Sequence, residues 1–459
     1  MDVLTRLYRL FDKAGLDEAV RFALLARASQ GIAGAVTLVL IAYFFSPVVQ
    51  GFYYTLMSLL ALQAFVELGL YIVIVNRASH EWSELTVEDS GAVSGDLAAL
   101  SRLASLMRFI ANWYAAMGVL FVLGVGIAGH VFLRMSQAAD VAWQAPWWTS
   151  LALAALLLWL TAMVSLLEGC NQVVAVNRFR LVQTIAEGLA IWLLLATGAG
   201  LWVIAGSLAV KVLATLLFFW RRYRRFFLSV YGGTGRERIR WRQEIWPMQW
   251  RLAAQGVVNY LMFSLFTPVM FHYHGAKAAG QMGMTLQIVG MVMLIGQVWV
   301  QTKVPRFGVL VAKRNFAELD RVWWQASKIS LVFVAAAGFF VWTGIWVLGT
   351  VYPELAARIL SPLPTLLFLM GFGLMQVLYF QALYLRAHAR EPYLVLGVSG
   401  GVLIGLLVFL FGSKYGPMGA AGSFLIAISF FLLPVGTLIW LRRRAEWQGG
   451  EPIFGGGRR

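Results

Sequence analysis

The sequence predicts an all-α polytopic membrane protein, with about twelve transmembrane helices arranged in two lobes of six. Composition gives the first indication, because 60% of the 459 residues are apolar and only 13% are charged, with a mean hydropathy of +0.74. A soluble chain of this length would need a far more polar surface. The apolar residues also fall in long runs, which argues against β-rich and α/β folds. Finally, basic residues collect between the runs, as membrane topology signals do.

Twelve apolar runs are long enough to cross the hydrocarbon core, which takes about 20 helical residues at 1.5 Å each. They lie near residues 24–45, 51–76, 109–133, 147–170, 180–198, 200–220, 248–273, 278–302, 326–350, 359–385, 392–412 and 417–441. The turn at 198–200 separates the fifth run from the sixth, and Pro268 interrupts the seventh. These runs predict the membrane-spanning helices.

The distribution of lysine and arginine predicts the orientation of the helices. With the N-terminus inside, the external loops hold only Arg134, Lys277, Arg358 and Lys414, although the chain has 37 basic residues. An odd number of crossings would destroy this asymmetry, which is the usual positive-inside pattern. The sequence therefore predicts a multi-pass protein of a bacterial inner membrane, with both termini cytoplasmic.

The two ends and the overall charge fit this placement. Residues 1–23 contain scattered charges and no continuous apolar core, so we expect an amphipathic segment on the cytoplasmic surface and not a cleavable signal peptide. The net charge of +16 follows the loops, so it favours membrane lipids over nucleic acid as a partner. The single cysteine, Cys170, excludes an intramolecular disulfide.

A weak internal echo suggests a duplication. Ala28–Gly31 in the first run matches Ala253–Gly256 in the seventh, and Gly51–Tyr54 opens the second run much as Gly280–Gly283 opens the eighth. Coincidence among common membrane residues is the alternative. The long basic interruption between the sixth and seventh runs favours duplication, and two packed repeats around a central site are a common transporter plan.

The duplication gives a domain organisation. The predicted parts are an amphipathic segment at 1–23, a first lobe at 24–220, a basic linker at 221–247, a second lobe at 248–441 and a cytoplasmic tail at 442–459. The linker has a second interpretation as a surface that touches anionic lipids, at about 1 kcal/mol per basic side chain. Both interpretations can hold together.

Charged residues inside the runs are the candidate functional groups, since each costs a few kcal/mol at the helix centre unless it faces a cavity or a partner. Arg27 opens the first run, Arg251 opens the seventh, and Lys211 lies in the middle of the sixth. Together they predict a cationic cavity that receives a phosphate-like group. The alternatives are that the two arginines snorkel to the interface and that Lys211 forms a structural pair with Glu187.

The acidic residues inside the runs offer a coupling site. Glu187 lies in the fifth run and Glu67 in the second, and a Lys211–Glu187 pair could couple transport to protons or sodium. For Glu67 a role in helix packing or at the interface is the stronger interpretation. His272 and His274 flank Tyr273 without a nearby carboxylate or cysteine, so no metal site is predicted.

The sequence does not predict an enzyme. The external loops are short connectors that leave no room for a catalytic ectodomain, and the chain lacks a phosphate-binding glycine loop, HExxH, or a convincing nucleophile and base. We therefore expect no cofactor, and any power source beyond the substrate or an ion gradient would come from a partner.

Six stretches of the sequence carry a resemblance to a known family. In the second lobe these are Met248–Leu252, Pro268–Phe271, Ala279–Met284 and Thr302–Gly308, and in the first they are Gly51–Thr55 and Glu67–Leu70. They resemble Wzx-type polysaccharide flippases of the multidrug/oligosaccharidyl-lipid/polysaccharide exporter superfamily. The resemblance covers both lobes, and its motifs are moderately specific.

The resemblance implies an inverted-V transporter that works by alternating access. Its implied substrate is an oligosaccharide on undecaprenyl pyrophosphate, flipped from the inner to the outer leaflet for surface polysaccharide synthesis. It also implies a basic central cavity, and polymerase and assembly proteins as partners. The alternative from the same superfamily is a cation-coupled multidrug or metabolite antiporter. The absence of acidic residues within the second-lobe runs disfavours that alternative, although Glu67 and Glu187 remain in the first lobe.

Overall fold

The computed structural model describes residues 18–67, 69–135, 141–233, 239–388 and 390–448. Within its helices, the side chains at 19, 20, 23, 24, 247, 248 and 251 lie outside the description. The predicted amphipathic segment at 1–23 and the end of the predicted tail therefore fall largely outside the described residues.

The first part of the chain is helical apart from one small hairpin. Its helices are α1 (Glu18–Phe44), α2 (Pro47–Leu60), α3 (Ala64–Glu67), α4 (Leu70–Trp82), α5 (Leu97–Arg134), α6 (Gln144–Gly169), α7 (Val173–Ala196), α8 (Trp202–Phe218) and α9 (Arg224–Tyr231). A 3-10 turn at Ala61–Gln63 joins α2 to α3, and a π turn at Phe219–Tyr223 joins α8 to α9. Strands β1 (Leu85–Val87) and β2 (Val93–Gly95) pair antiparallel between α4 and α5.

The second part contains longer helices. They are α10 (Trp246–Phe263), α11 (Phe266–Gln301), α12 (Val304–Ala312), α13 (Phe316–Val351), α14 (Pro353–Ala356), α15 (Pro362–Arg386), α16 (Leu394–Ala427) and α17 (Leu433–Trp447). A π turn at Trp241–Ile245 precedes α10, and another at Ile428–Leu432 joins α16 to α17.

The number of membrane crossings agrees with the prediction of about twelve. Among the described residues, ten helical segments are long and apolar enough to cross a membrane. Two of them, Leu252–Ala312 and Leu394–Trp447, have 61 and 54 residues, which is more than twice the roughly 20 residues that one crossing needs. Each contains a glycine with non-helical backbone, Gly275 (φ 82°) or Gly416 (φ 61°). Both glycines fall in the predicted loops, so each long segment supplies two crossings.

The outer faces of the helices are apolar, as a lipid solvent requires. On α5, Leu120, Leu123 and Ile127 are 53–58% exposed, and their spacing puts them on one side of the helix. Leu103, Leu106 and Ile110 of the same helix are buried in a core with Leu166 and Leu167 of α6. The chain is thus a multi-pass membrane protein with an apolar core and an apolar surface.

The helices pack into two compact units. The first consists of the described parts of Met1–Ser46 and Leu59–Gly256, and the second consists of Pro47–Ser58 and the described parts of Val257–Arg459. The chain therefore changes unit inside helix α10, at Gly256. The described parts of the predicted linker 221–247 pack within the first unit. The predicted division into a first lobe at 24–220 and a second lobe at 248–441 stays a prediction about repeats.

In the second unit, α2 and α11 approach so closely that only glycine fits at the contact. A Cβ atom on Gly51 would lie 1.9 Å from the carbonyl oxygen of Ala276, and one on Gly283 would lie 2.4 Å from Cβ of Tyr54. The Tyr54 hydroxyl donates to Gln287 Oε1 at 2.8 Å. The two stretches that suggested a duplication, Gly51–Tyr54 and Gly280–Gly283, therefore lie against each other.

Replacing Gly51 with alanine should destabilise the protein, because the added methyl group would overlap a backbone carbonyl that cannot rotate away. We expect Gly51→Ala to cost about 1–3 kcal/mol, as for an overpacked core, and to lower the midpoint of thermal unfolding in detergent. Gly290→Ala is the matched control, since nothing lies within 4 Å of its added Cβ. Equal midpoints for the two variants would show that the α2–α11 contact is looser than described.

Candidate functional site

Lys211 and Glu187 form an ion pair between α8 and α7. Lys211 Nζ lies 2.7 Å from Glu187 Oε1, and the two side chains are 32% and 21% exposed. Both residues lie well inside their helices, at least seven residues from either end of α7 (Val173–Ala196) or α8 (Trp202–Phe218). The pairing, one of the two interpretations of Lys211 from the sequence, is therefore present in the fold. It offsets much of the cost of each charge at this depth.

A second polar layer lies one helical turn from the ion pair. Gln183 Nε2 donates to the carbonyl oxygen of Lys211 at 3.1 Å and to Thr215 Oγ1 at 3.0 Å. The Thr215 hydroxyl in turn donates to the Lys211 carbonyl at 2.7 Å. Residues four apart share a helix face, so Gln183 and Glu187 of α7 meet Lys211 and Thr215 of α8 along one polar seam.

Helix α1 packs beside this seam. The indole N–H of Trp192 on α7 donates to Thr37 Oγ1 at 3.0 Å. A Cβ atom on Gly188 would lie 3.3 Å from the Cβ of Ala33, which is closer than an ordinary Cβ contact, so α1 and α7 approach tightly here. The first unit thus places the α7–α8 polar seam next to the helix that carries Arg27.

Of the other two predicted cations, Arg27 is described in full and Arg251 only by its backbone. Arg27 lies on α1 and is exposed. Arg251 belongs to α10, but its side chain lies outside the described residues. The structure thus brings Lys211 together with Glu187, and the predicted grouping of Lys211 with Arg27 and Arg251 stays a prediction.

Glu67 is the last residue of α3, just before a break in the helix. Gly69 follows in the left-handed region, with φ at 64°, and α4 begins at Leu70. Within the described part of the chain, Glu67 has no ion-pair or hydrogen-bond partner, and its charge interacts with the phenols of Tyr71 and Tyr114. Tyr114 is 2% exposed and its hydroxyl also has no partner there. Among the described residues, Glu67 is thus an acidic side chain inside the first unit that no basic side chain neutralises.

Other polar residues near helix ends have structural partners. Glu168 accepts two hydrogen bonds from the guanidinium of Arg180, at 2.6 and 3.0 Å. His274 Nε2 lies 2.8 Å from the Gly412 carbonyl oxygen. No group of three histidine, cysteine or acidic residues that could hold a metal occurs in the described ranges.

A clamp in the second unit was not predicted from the sequence. Gln50 is 1% exposed, and its Nε2 donates to the carbonyl oxygens of Gly280 and Arg358 at 3.0 and 2.9 Å. Thr285 Oγ1 accepts from the Leu360 N–H at 2.9 Å. These contacts fix the loop between α13 and α15, where burial lowers the pKa of the Arg358 guanidinium. The sequence carries no local signal for it, because the partners are over 70 residues apart.

A charged network fastens the end of the predicted linker to the first unit. Arg102 donates to Glu81 Oε1 and to Glu244 Oε2, each at 2.9 Å, and Arg77 Nη2 donates to the Glu244 carbonyl oxygen at 2.6 Å. Burial alone would raise the pKa of the Glu244 carboxyl. Hydrogen bonds from the Arg240 N–H and Arg102, with the charges of Arg102 and Arg77, outweigh it and lower this pKa.

Comparison with known proteins gives a fold and no sequence family. No protein-family model matches the sequence, and no curated protein matches it. Solved structures of membrane transporters do match over nearly the whole chain, so the chain shares their fold.

Two of these structures have a TM-score of 0.67. One is an inward-facing MATE-family multidrug resistance transporter of the MOP superfamily, 13% identical over 94% of this chain and 99% of its own. The other is the lipid II flippase MurJ in an inward closed conformation, 13% identical over 93% of this chain and 90% of its own. The MATE multidrug transporter DinF-BH, solved with R6G, matches with a TM-score of 0.58, 15% identity and coverage of 94% and 96%. The TM-scores and coverages establish a shared fold, and at 13–15% identity they establish nothing beyond the fold.

Exchanging the charges of the ion pair should preserve stability that single substitutions remove. Fully buried pairs lose about 3–5 kcal/mol when one partner is removed, and with partial exposure we expect about 1–3 kcal/mol for Lys211→Met or Glu187→Leu. The swapped double variant Lys211→Glu/Glu187→Lys should recover most of this loss. Thermal unfolding in detergent measures all variants. Additive losses in Lys211→Met/Glu187→Leu would show that the two charges do not interact.

The Glu244 network should make stability depend on pH at the acidic end. Because the folded pKa lies below the ordinary value of 4.5, the ionised carboxyl stabilises the fold at neutral pH. This stabilisation is lost as pH falls from about 5 through the folded pKa. Glu244→Gln should therefore unfold at a lower temperature than the wild type at neutral pH, with the gap closing on acidification. A gap that stays constant with pH would contradict the assignment, and Glu354→Gln, an exposed carboxyl at a helix start, is the control.

Proposed function

We propose that this protein is a flippase that moves an undecaprenyl-pyrophosphate-linked oligosaccharide from the inner to the outer leaflet of a bacterial inner membrane. The step would serve surface polysaccharide synthesis, with polymerase and assembly proteins as downstream partners. A fold shared with a lipid II flippase supports the proposal, as does the sequence resemblance to Wzx-type flippases. Alternating access with both termini cytoplasmic is part of the same proposal.

The observation that carries the proposal is the distribution of charge. In the described part of residues 257–459, every acidic side chain lies near a helix end or in a loop: Glu318, Asp320, Glu354, Glu391 and Glu446. Most of them pair with arginine, as Asp320 does with Arg444. In the first unit, Lys211 neutralises Glu187. The described part of residues 257–459 therefore keeps acidic side chains out of the middle of its crossings, which suits an anionic substrate better than a cationic one.

The ion pair offers a mechanism for holding the pyrophosphate. About a third of the Lys211 side chain is accessible, so a phosphate oxygen can approach the ammonium group and compete with Glu187. Exchange of one oxyanion for another preserves the charge-assisted hydrogen bond. Arg27, on the adjacent α1, would supply further donors, as would Arg251. The sugar would meet polar side chains such as Gln183 and Thr215.

A cation-coupled antiporter is the second candidate, and one feature favours it. Glu67 has no ion-pair or hydrogen-bond partner among the described residues and interacts electrostatically with Tyr114. Intramembrane carboxyls of this kind can carry coupling cations. The MATE multidrug transporters share the fold. This candidate predicts that Glu67→Gln abolishes cation-driven efflux of a dye.

The test is a flipping assay on the purified full chain in liposomes that contain a labelled undecaprenyl-pyrophosphate oligosaccharide. The rate at which inner-leaflet label becomes accessible to an impermeant external reagent is measured. We expect acceleration by the wild type and a loss of about tenfold or more in Arg27→Ala/Arg251→Ala, because each removes a charged hydrogen bond worth about 1.5–3 kcal/mol. Arg134→Ala, an exposed arginine in a predicted external loop, is the control and should flip normally.

The outcomes separate the two candidates. Normal flipping by the double arginine variant would rule out the proposed cationic binding site. No acceleration with several glycans, together with dye efflux driven by a cation gradient and lost in Glu67→Gln, would favour the antiporter. Thermal unfolding of each variant distinguishes loss of function from loss of fold.

A further inference from the structure

The chain that leaves α8 presents a dense set of exposed arginines. In the segment Phe219–Tyr231, which comprises the π turn and α9, four arginines are exposed: Arg221, Arg222, Arg224 and Arg225. The segment contains no acidic residue. Within the described part of the chain, no carboxylate lies within ion-pair distance of these four guanidinium groups. We call this segment the arginine platform.

The arginine platform is anchored from its opposite side, so its arginines are held in place. Tyr223, Phe226 and Val230 are at most 4% exposed and belong to the core of the first unit. The Tyr223 hydroxyl donates to Gln172 Oε1 at 3.0 Å, and the Val93 N–H of strand β2 donates to Ser229 Oγ at 2.9 Å. Binding would therefore not have to pay for ordering the backbone.

Three large apolar side chains share the exposed side of the platform. Trp220, Leu228 and Tyr231 are 61–65% exposed. They follow one another at helical spacings with Arg224 between them, which places one arginine within an apolar stripe. Aromatic and leucine side chains next to basic ones are typical of helices that lie at the boundary of headgroups and acyl chains.

The neighbouring hairpin limits where a ligand can approach. Arg225 Nη1 donates to the Ser90 carbonyl oxygen at 2.9 Å, and the same hairpin tip carries the exposed acids Glu88 and Asp89. An anion is thus disfavoured on the Arg225 side. Arg221, Arg222 and Arg224 are left as the donors.

We propose that the arginine platform binds the phosphate groups of anionic phospholipids in the leaflet next to the end of α8. Guanidinium groups match phosphate oxygens in geometry and charge, and the apolar stripe would enter the adjacent acyl region. A phosphate in solution would gain from the charges and nothing from the stripe. The partner is therefore the lipid surface, whichever substrate the protein transports.

The experiment is lipid competition on the purified full chain. The protein is held in micelles with equal amounts of phosphatidylglycerol and phosphatidylcholine, and bound lipids are counted by native mass spectrometry. The wild type should retain phosphatidylglycerol preferentially. Arg221→Gln/Arg222→Gln/Arg224→Gln should reduce this preference by about fivefold for each arginine in favourable contact. The matched control is Arg386→Gln/Arg442→Gln/Arg443→Gln, three accessible arginines that each pair with a carboxylate.

Two measurements on the wild type test the proposal without substitutions. Raising the salt concentration should weaken the preference, since exposed charges are screened. Inorganic phosphate at the same ionic strength should displace no more lipid than chloride does. The proposal is overturned if the triple variant keeps its preference, if the control loses as much, if salt has no effect, or if inorganic phosphate displaces the lipid.

Discussion

A helix bundle in hydrocarbon must satisfy its own polar groups, because no water is present to do so, and the ion pair between Lys211 and Glu187 is where this constraint is strongest. A lone ammonium at that depth costs several kcal/mol, so α7 and α8 must keep the register that brings the two charges together. Gln183 and Thr215 reinforce the register one turn away. The same rule explains why Trp147 donates its indole N–H to the Gly126 carbonyl oxygen. It also explains why the Thr55 hydroxyl donates to the Gly51 carbonyl.

Close packing is the second requirement, since hydrophobicity alone gives no preference between lipid tails and helix faces. Glycines meet it where α2 lies on α11, and the approach is close enough for Gln50 to reach the Gly280 carbonyl oxygen. Larger side chains make a second close contact in the same unit, between α13, α15 and α17. There Trp323 stacks on Trp440 with ring centroids 4.9 Å apart, and Asp320 joins Arg444 and Tyr384. Shape and hydrogen bonds, more than apolar area, therefore hold the helices together.

The helical class and the crossings could be predicted from the sequence because both depend on local composition and run length. Gly275 and Gly416 break the chain where the predicted loops lie, since a helix reverses most easily at a residue that tolerates a positive φ. The partnership of Lys211 with Glu187 was open to prediction as one of two alternatives. The Glu244 network and the Gln50 clamp were not, because their partners lie far apart along the chain and sequence patterns carry no distance information. The environment of Arg27 and Arg251 depends on tertiary packing in the same way.

Residues Pro47–Ser58 pack in the second unit, although the chain on either side of them belongs to the first. This affects how the chain is assembled. These residues are synthesised early, yet the glycines they pack against lie more than 200 residues later, at Gly280 and Gly283. Helix α2 therefore lacks its packing partner in the bilayer until α11 has been inserted. If the polypeptide were cut within residues 221–247, the later fragment would lack Pro47–Ser58, the part of α2 that packs in the second unit. That fragment would pack its core as in the intact protein only when the earlier fragment is present to supply those twelve residues.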